Sequence, residues 1–222
     1  MNVVVISAHP DDETLGCGGT LLRHVAERDQ IHWLIATEAH SPRWPKEVIA
    51  KKAKEVKAAA AAYSAKTVTK LGLPSAKLET LPIGEIIDPI RALVTKIKPR
   101  IVYLPHFGDA HTDHAVVFTA AMTVFKAFYM KKCGVERILS FETLSSTEAA
   151  PPQVYRAFVP NVFRDITPYL ERKVEIMDLF HTESQSELAP RSASAIRALA
   201  RFRGASVNVE YAEAFMLVRE LL

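Results

Sequence analysis

The chain opens on Val3-Val4-Val5-Ile6, a continuous β-branched apolar run that reads as a parallel strand buried on both faces. Polar residues begin soon after it. Beyond a Gly-rich turn, Gly18 to Glu27 predicts a helix and Ile31 to Thr37 a second strand, together a β-α-β unit. The Ala- and Lys-rich segment Trp44 to Tyr63 predicts a long helix, followed by a short strand near Thr67 to Leu71 and a helix from Glu85 to Lys98 that Pro99 ends. Arg100 to Leu104 supplies another apolar strand, Asp113 to Lys131 a helix, and Arg137 to Phe141 a further strand. The last third is less regular. Glu142 to Pro152 reads as a loop, Tyr155 to Ile166 as an extended stretch, Pro168 to Glu183 and Ser192 to Arg203 as helices, and Ala212 to Val218 as an edge strand.

Strands alternating with helices at this spacing predict an α/β fold: one Rossmann-like domain over residues 1–222, with a mostly parallel sheet flanked by helices. Such sheets place their sites beyond the carboxyl ends of the strands, which directs attention to the loops Ala8 to Gly19 and Pro105 to His114. A chain of 222 residues, half of them hydrophobic, can bury one sizeable core. Its uncharged stretches fall short of the ~18 residues a membrane helix needs, and Met1 to Ser7 lacks a basic prelude to an export signal. Cys17 and Cys133 lack C-x-x-C spacing, so a reducing compartment and a cytoplasmic location are expected. The net charge is +3, with basic residues spread along helices such as Lys46 to Lys57 rather than interleaved with aromatics, which argues against a nucleic-acid partner.

The first loop places His9, Asp11, Asp12 and Glu13 directly after a buried strand. Adjacent carboxylates repel and are costly to desolvate, so they must bind a cation, cap the following helix or stay solvated. The second loop, Pro105 to His114, holds three histidines and two aspartates, His106, Asp109, His111, Asp113 and His114. Imidazole and carboxylate together suit a catalytic metal with three protein ligands and an open position. A two-metal phosphoesterase would need more bridging carboxylates than these loops comfortably supply. Gly16-Cys17-Gly18-Gly19 lacks the G-x-G-x-x-G spacing of a phosphate cradle, so tight backbone packing is the expected role, with Cys17 as a small core residue.

Ala8-His9-Pro10-Asp11-Asp12-Glu13 after an N-terminal strand, with His111-Thr112-Asp113-His114 far downstream, resembles the LmbE-like, or PIG-L-like, family of zinc-dependent N-deacetylases. Glu142 to Glu148, Pro190-Arg191-Ser192 and Ala212 to Phe215 are similar to segments of its sugar-deacetylase branches. The resemblance implies that His9, Asp12 and His114 hold the metal and that Asp11 is the base. It also implies that Glu13 orients a ligand through a hydrogen bond. His111 would stand near the scissile carbonyl, with Asp113 fixing its tautomer and favouring its protonated form. Asp109 matches a family acid without an assigned role, and Glu142 and Arg191 are expected to contact substrate. Zn2+ is the implied metal, while Fe2+, Co2+ and Mn2+ suit the same ligands. Where relatives carry an Arg that reaches the sugar, this chain has Lys51, Lys52 and Lys54, and Leu188-Ala189 stands where relatives often show a His.

The expected activity is therefore hydrolysis of an N-acetyl amide on a small N-acetylglucosamine-type molecule, by an enzyme that resembles homo-oligomeric relatives. Two other readings stand beside it. One is an amidase or deacylase acting on a non-sugar or thiol-conjugate amide. The other is a non-catalytic sugar-binding protein of the same fold, which would not require both Asp11 and His111.

Overall fold

The structure is a computed structural model that describes residues 1–151 and 153–221; Pro152, the end of the expected loop, and Leu222 lie outside the described residues. Seven strands, β1 (Asn2–Ser7), β2 (Gln30–Glu38), β3 (Thr67–Pro74), β4 (Ile101–Pro105), β5 (Arg137–Phe141), β6 (Val162–Asp165) and β7 (Ala212–Glu220), form one sheet in the order β3-β2-β1-β4-β5-β7-β6. The pairs among β1 to β5 are parallel, whereas β7 runs antiparallel to both β5 and β6. The helices are α1 (Asp12–Ala26), α2 (Lys46–Ala62), α3 (Gly84–Ile97), α4 (Thr112–Val124), α5 (Ala127–Cys133), α6 (Leu170–Met177) and α7 (Ala193–Ala205). This is the expected α/β sheet, covered on both sides. None of the helices is long and apolar enough to cross a membrane among the described residues.

The opening apolar run explains how the two layers meet. Successive strand side chains point to opposite faces, so Val3 and Val5 join one core cluster while Val4 and Ile6 join the other. All four are fully buried, and each such side chain contributes ~1.5–3 kcal/mol by leaving water. The strand order reverses between β1 and β4, because β2 and β3 lie on one side of that pair and β5 on the other. The loops after β1 and β4 therefore open over the crevice at the switch point, where open α/β sheets bind ligands.

Five expectations need correction, one being that the helix expected from Pro168 to Glu183 is confined to α6, after a 3-10 turn at Thr167–Tyr169. The first helix starts at Asp12, not Gly18, and bends at Cys17 (φ −143°, ψ 19°), so the glycines lie inside it. A Cβ on Gly16 would stand 2.1 Å from the Phe141 ring and one on Gly19 2.8 Å from Ile166, so these positions serve the expected close packing, but within a helix instead of a turn. The helix expected from Asp113 to Lys131 is two, α4 and α5, broken where Phe125 and Lys126 leave helical geometry. The stretch Tyr155 to Ile166 holds a 3-10 turn at Val154–Arg156 before β6. Finally, β7 is interior and β6 takes the edge.

Candidate active site

The β1 loop is tied down by backbone. The Ala8 carbonyl accepts from both the amide and the hydroxyl of Thr37 at the end of β2 (3.0 and 2.8 Å). Asp12 Oδ2 accepts from the His9 amide at 2.7 Å, which folds the loop back on itself. Asp11 is the residue before α1, and its carbonyl accepts from Thr14 and Leu15. Its side chain caps nothing in that helix, so the capping alternative for Asp11 fails. Glu13 is fully buried and accepts from the Asp11 amide (3.2 Å), the Ser7 hydroxyl (3.4 Å) and the Thr14 hydroxyl (2.7 Å). It therefore supports the loop at Asp11 and makes no hydrogen bond to His9, Asp12 or His114, contrary to the role the resemblance implied.

The β4 loop brings the second set. His111 precedes α4 and its Nδ1 accepts from the Asp113 amide at 3.3 Å. His114 and Asp113 sit in the first turn of α4, both buried. Nitrogen or oxygen atoms of His9, Asp12 and His114 all lie within 4.8 Å of one another, as do those of His9, His111 and Asp113. The bonding distinguishes the two sets. Asp113 is already engaged by the Ala76 and Leu78 amides (2.7 and 3.1 Å) and by His9 Nε2 (2.9 Å). His114 Nδ1 lies 2.7 Å from Asp109, while its Nε2 faces Asp12 Oδ1 at 3.3 Å. Each imidazole of the first set thus has one nitrogen held by an outside carboxylate and the other turned to the triad, the usual support of histidine metal ligands.

These contacts revise two assignments. The Asp113 carboxylate holds His9 rather than His111, whose Nδ1 lies 4.0 Å from it, while the Asp113 amide sets the His111 tautomer. Asp109 gains a role that its sequence context did not supply: it holds His114 and is itself held by the Thr147 hydroxyl at 2.7 Å. His106 turns away and bonds the Arg156 carbonyl at 2.7 Å.

The electrostatics favour positive charge at the triad. Burial pushes the His9 and His114 imidazoles down, yet Asp113 and Asp12 raise His9 to about 9, and Asp12 and Asp109 raise His114 to about 10. Burial pushes the Asp12 carboxyl up, but His114 and His9 outweigh it and hold it well below the carboxylate range. Asp11 is raised to about 6 by burial and by Asp12, against the pull of Arg191. Burial and the neighbouring His9 and His114 push His111 down to about 4, so it is neutral near pH 7, not protonated as expected. A bound cation would act in the same direction.

A cavity of about 310 Å³ opens over these groups. His9, Asp11, Asp12, His111 and His114 line one side. Trp44, Lys52, Thr143, Ser146 and Arg191 complete other parts of the wall. Of the two expected substrate contacts, Arg191 is present: its Nη1 donates to Asp11 Oδ2 and Glu183 Oε2, both at 2.9 Å. Glu142 is not. It is held by Arg203 through two hydrogen bonds of 2.8 and 2.6 Å beside other, neighbouring cavities. Lys52 from α2 reaches this wall and pairs with Glu183. Glu183 carried no sequence signal.

YaiS of Escherichia coli strain K12, described as an uncharacterized deacetylase, is 26% identical over 172 residues, 74% of this chain and 81% of that protein. The conserved protein TT1542 of Thermus thermophilus is 26% identical, with a TM-score of 0.77 over 99% of this chain and 96% of its own. N,N'-diacetylchitobiose deacetylase from Pyrococcus horikoshii shares the fold at 18% identity, with a TM-score of 0.77 over 98% of this chain and 83% of its own. So does GalB, the 4-carboxy-2-hydroxymuconate hydratase of Pseudomonas putida KT2440, at 19% identity and a TM-score of 0.75, covering 100% and 97% of the two chains. Fold alone therefore does not fix the reaction. The family model described as PIG-L, GlcNAc-PI de-N-acetylase, matches residues 4–125, which hold both loops of the site, and the chain belongs to that family.

Proposed function

We propose that this protein is a metal-dependent N-deacetylase that hydrolyses the N-acetyl amide of a small N-acetylglucosamine-type molecule, releasing acetate and a free amine. The observation that carries this reading is the buried carboxylate of Asp11 beside the donor set His9, Asp12 and His114 in one cavity. Two imidazoles and a carboxylate fit Zn2+ as well as Fe2+, Co2+ or Mn2+. Such an ion, when bound, supplies Lewis-acid polarisation of the carbonyl and lowers the pKa of water towards ~7.

Asp11 accepts the proton of the attacking water and returns it to the departing nitrogen. His111 accepts the Asp113 amide at Nδ1, which leaves Nε2–H to donate to the carbonyl oxygen as it gains charge. One such donor contributes ~3 kcal/mol to the transition state, a hundredfold or more in rate. A neutral imidazole performs this role without the protonation that the sequence suggested.

The cavity has the size of a small-molecule site. Hydroxyl-bearing Thr143, Ser145 and Ser146 suit a polyol, and the Trp44 ring offers a face for a sugar ring. Similarity to a diacetylchitobiose deacetylase supports the same substrate class. The apolar part of the wall, Leu15, Ile35, Ile49 and Val56, favours a second reading in which the amine carries an apolar or thiol-conjugate body. Amine release from N-acetylglucosamine and diacetylchitobiose, set against apolar N-acetyl amines, separates the two: faster release from the sugars supports the first, and the reverse order the second. The reading includes a cytoplasmic location and homo-oligomeric assembly, to which exposed Val154, Tyr155, Val159 and Phe202 would contribute apolar surface; light scattering tests the assembly.

A further inference from the structure

Asp11 is constrained from two directions. Its backbone has φ 108°, a left-handed conformation that strains a non-glycine residue. Its Oδ2 accepts from Arg191 Nη1, while Oδ1 makes no hydrogen bond among the described residues. The same Nη1 donates to Glu183, whose other oxygen accepts from Lys52. Arg191 itself is anchored, because its amide donates to Gln185 Oε1 (3.2 Å) and Ser192 next to it caps α7 through the Ala195 amide (3.2 Å). Arg191 Nε is buried and has no hydrogen-bond partner among the described residues. Buried donors are nearly always paired, so the guanidinium sits where Asp11 and Glu183 draw it rather than where its own donors are best satisfied.

We infer that Arg191 is a positioning residue for Asp11: it pins one carboxylate oxygen so that the other faces the water and the scissile amide, with Glu183 and Lys52 bracing the guanidinium from behind. This rests on Asp11 being the base. A misplacement of ~1 Å at a reacting group costs up to a hundredfold in rate, so loss of the pin lowers kcat and leaves ground-state binding intact.

The test uses the full-length metal-loaded protein with Arg191→Ala and Arg191→Lys, each checked by circular dichroism and metal content. Arg191→Ala is expected to lose on the order of thirtyfold in kcat with KM little changed, and added guanidinium is expected to restore part of the loss. Arg191→Lys falls between the two, because an ammonium lacks the planar fork. A crystal structure of Arg191→Ala is expected to show the Asp11 carboxylate turned away from its wild-type position. Unchanged kcat, a rise in KM at unchanged kcat, or an unmoved carboxylate overturns the inference. If the wild type hydrolyses no amide, the proposed activity falls, and the position of the Asp11 carboxylate in the variant still decides whether Arg191 sets it.

Discussion

Removing the Asp109 carboxylate isolates the support behind one metal ligand. Asp109 and His114 are both buried, and their 2.7 Å contact fixes which imidazole nitrogen faces Asp12. A hydrogen bond to a charged group contributes ~1.5–3 kcal/mol. Loss of such a partner to a metal-ligating histidine typically weakens metal binding by ~10–100-fold, or ~1.4–2.8 kcal/mol at 1.4 kcal/mol per decade. The two routes agree. Asp109→Ala is therefore expected to weaken zinc binding by ~10–100-fold. Asp109→Asn keeps an acceptor for Nδ1–H but not the charge, and because charge roughly doubles such a bond, it should lose about half as much free energy. Competition titration against a chromophoric chelator at fixed pH measures both. Binding by Asp109→Ala within about twofold of wild type would refute the argument that His114 needs this carboxylate.

Other expectations follow from the same contacts. Glu13 is raised from its ordinary 4.5 to about 8 by burial, so between those values the unfolded chain ionises while the native protein stays protonated, and stability falls as pH rises, by up to ~1.4 kcal/mol per pH unit. The Tm advantage of Glu13→Gln over wild type should accordingly widen from pH 5 to pH 8; a constant difference contradicts it. With His9 raised to about 9 and His114 to about 10, metal binding at pH 7 must displace protons from both, so calorimetry in buffers of different ionisation enthalpy should show about two released, and affinity should fall as pH falls. Gly16→Ala drives a methyl into the Phe141 ring and should destabilise the fold by ~1–3 kcal/mol in a denaturant titration.

The parts of the molecule that were legible in the sequence are those governed by local pattern. β1 is readable because a parallel strand covered on both faces must be apolar without interruption, and Val3 to Ile6 satisfy that. His9, Asp11, Asp12, His111 and His114 are readable as a group because polar residues at the ends of parallel strands converge on the switch point, and all five line one cavity. What was illegible depends on distant partners. The tight packing expected at Gly16 and Gly19 is there, but that it is a helix packing on Phe141 and Ile166 rather than a turn was not readable locally. Asp113 reaches His9 across 104 residues and Arg191 reaches Asp11 across 180, so neighbouring sequence assigned the Asp113 carboxylate to His111 and gave Arg191 only a substrate contact. The break between α4 and α5 and the interior place of β7 are likewise set by packing and pairing rather than by periodicity.

The most direct test of the account is acetate and amine release by metal-loaded wild type, chelated wild type and metal-loaded Asp11→Asn, with metal content measured in each. The account predicts release only from loaded wild type, with Asp11→Asn retaining its metal and losing on the order of a hundredfold or more in rate, the contribution of a general base. Release that survives chelation, or a loaded Asp11→Asn as fast as wild type, would contradict it.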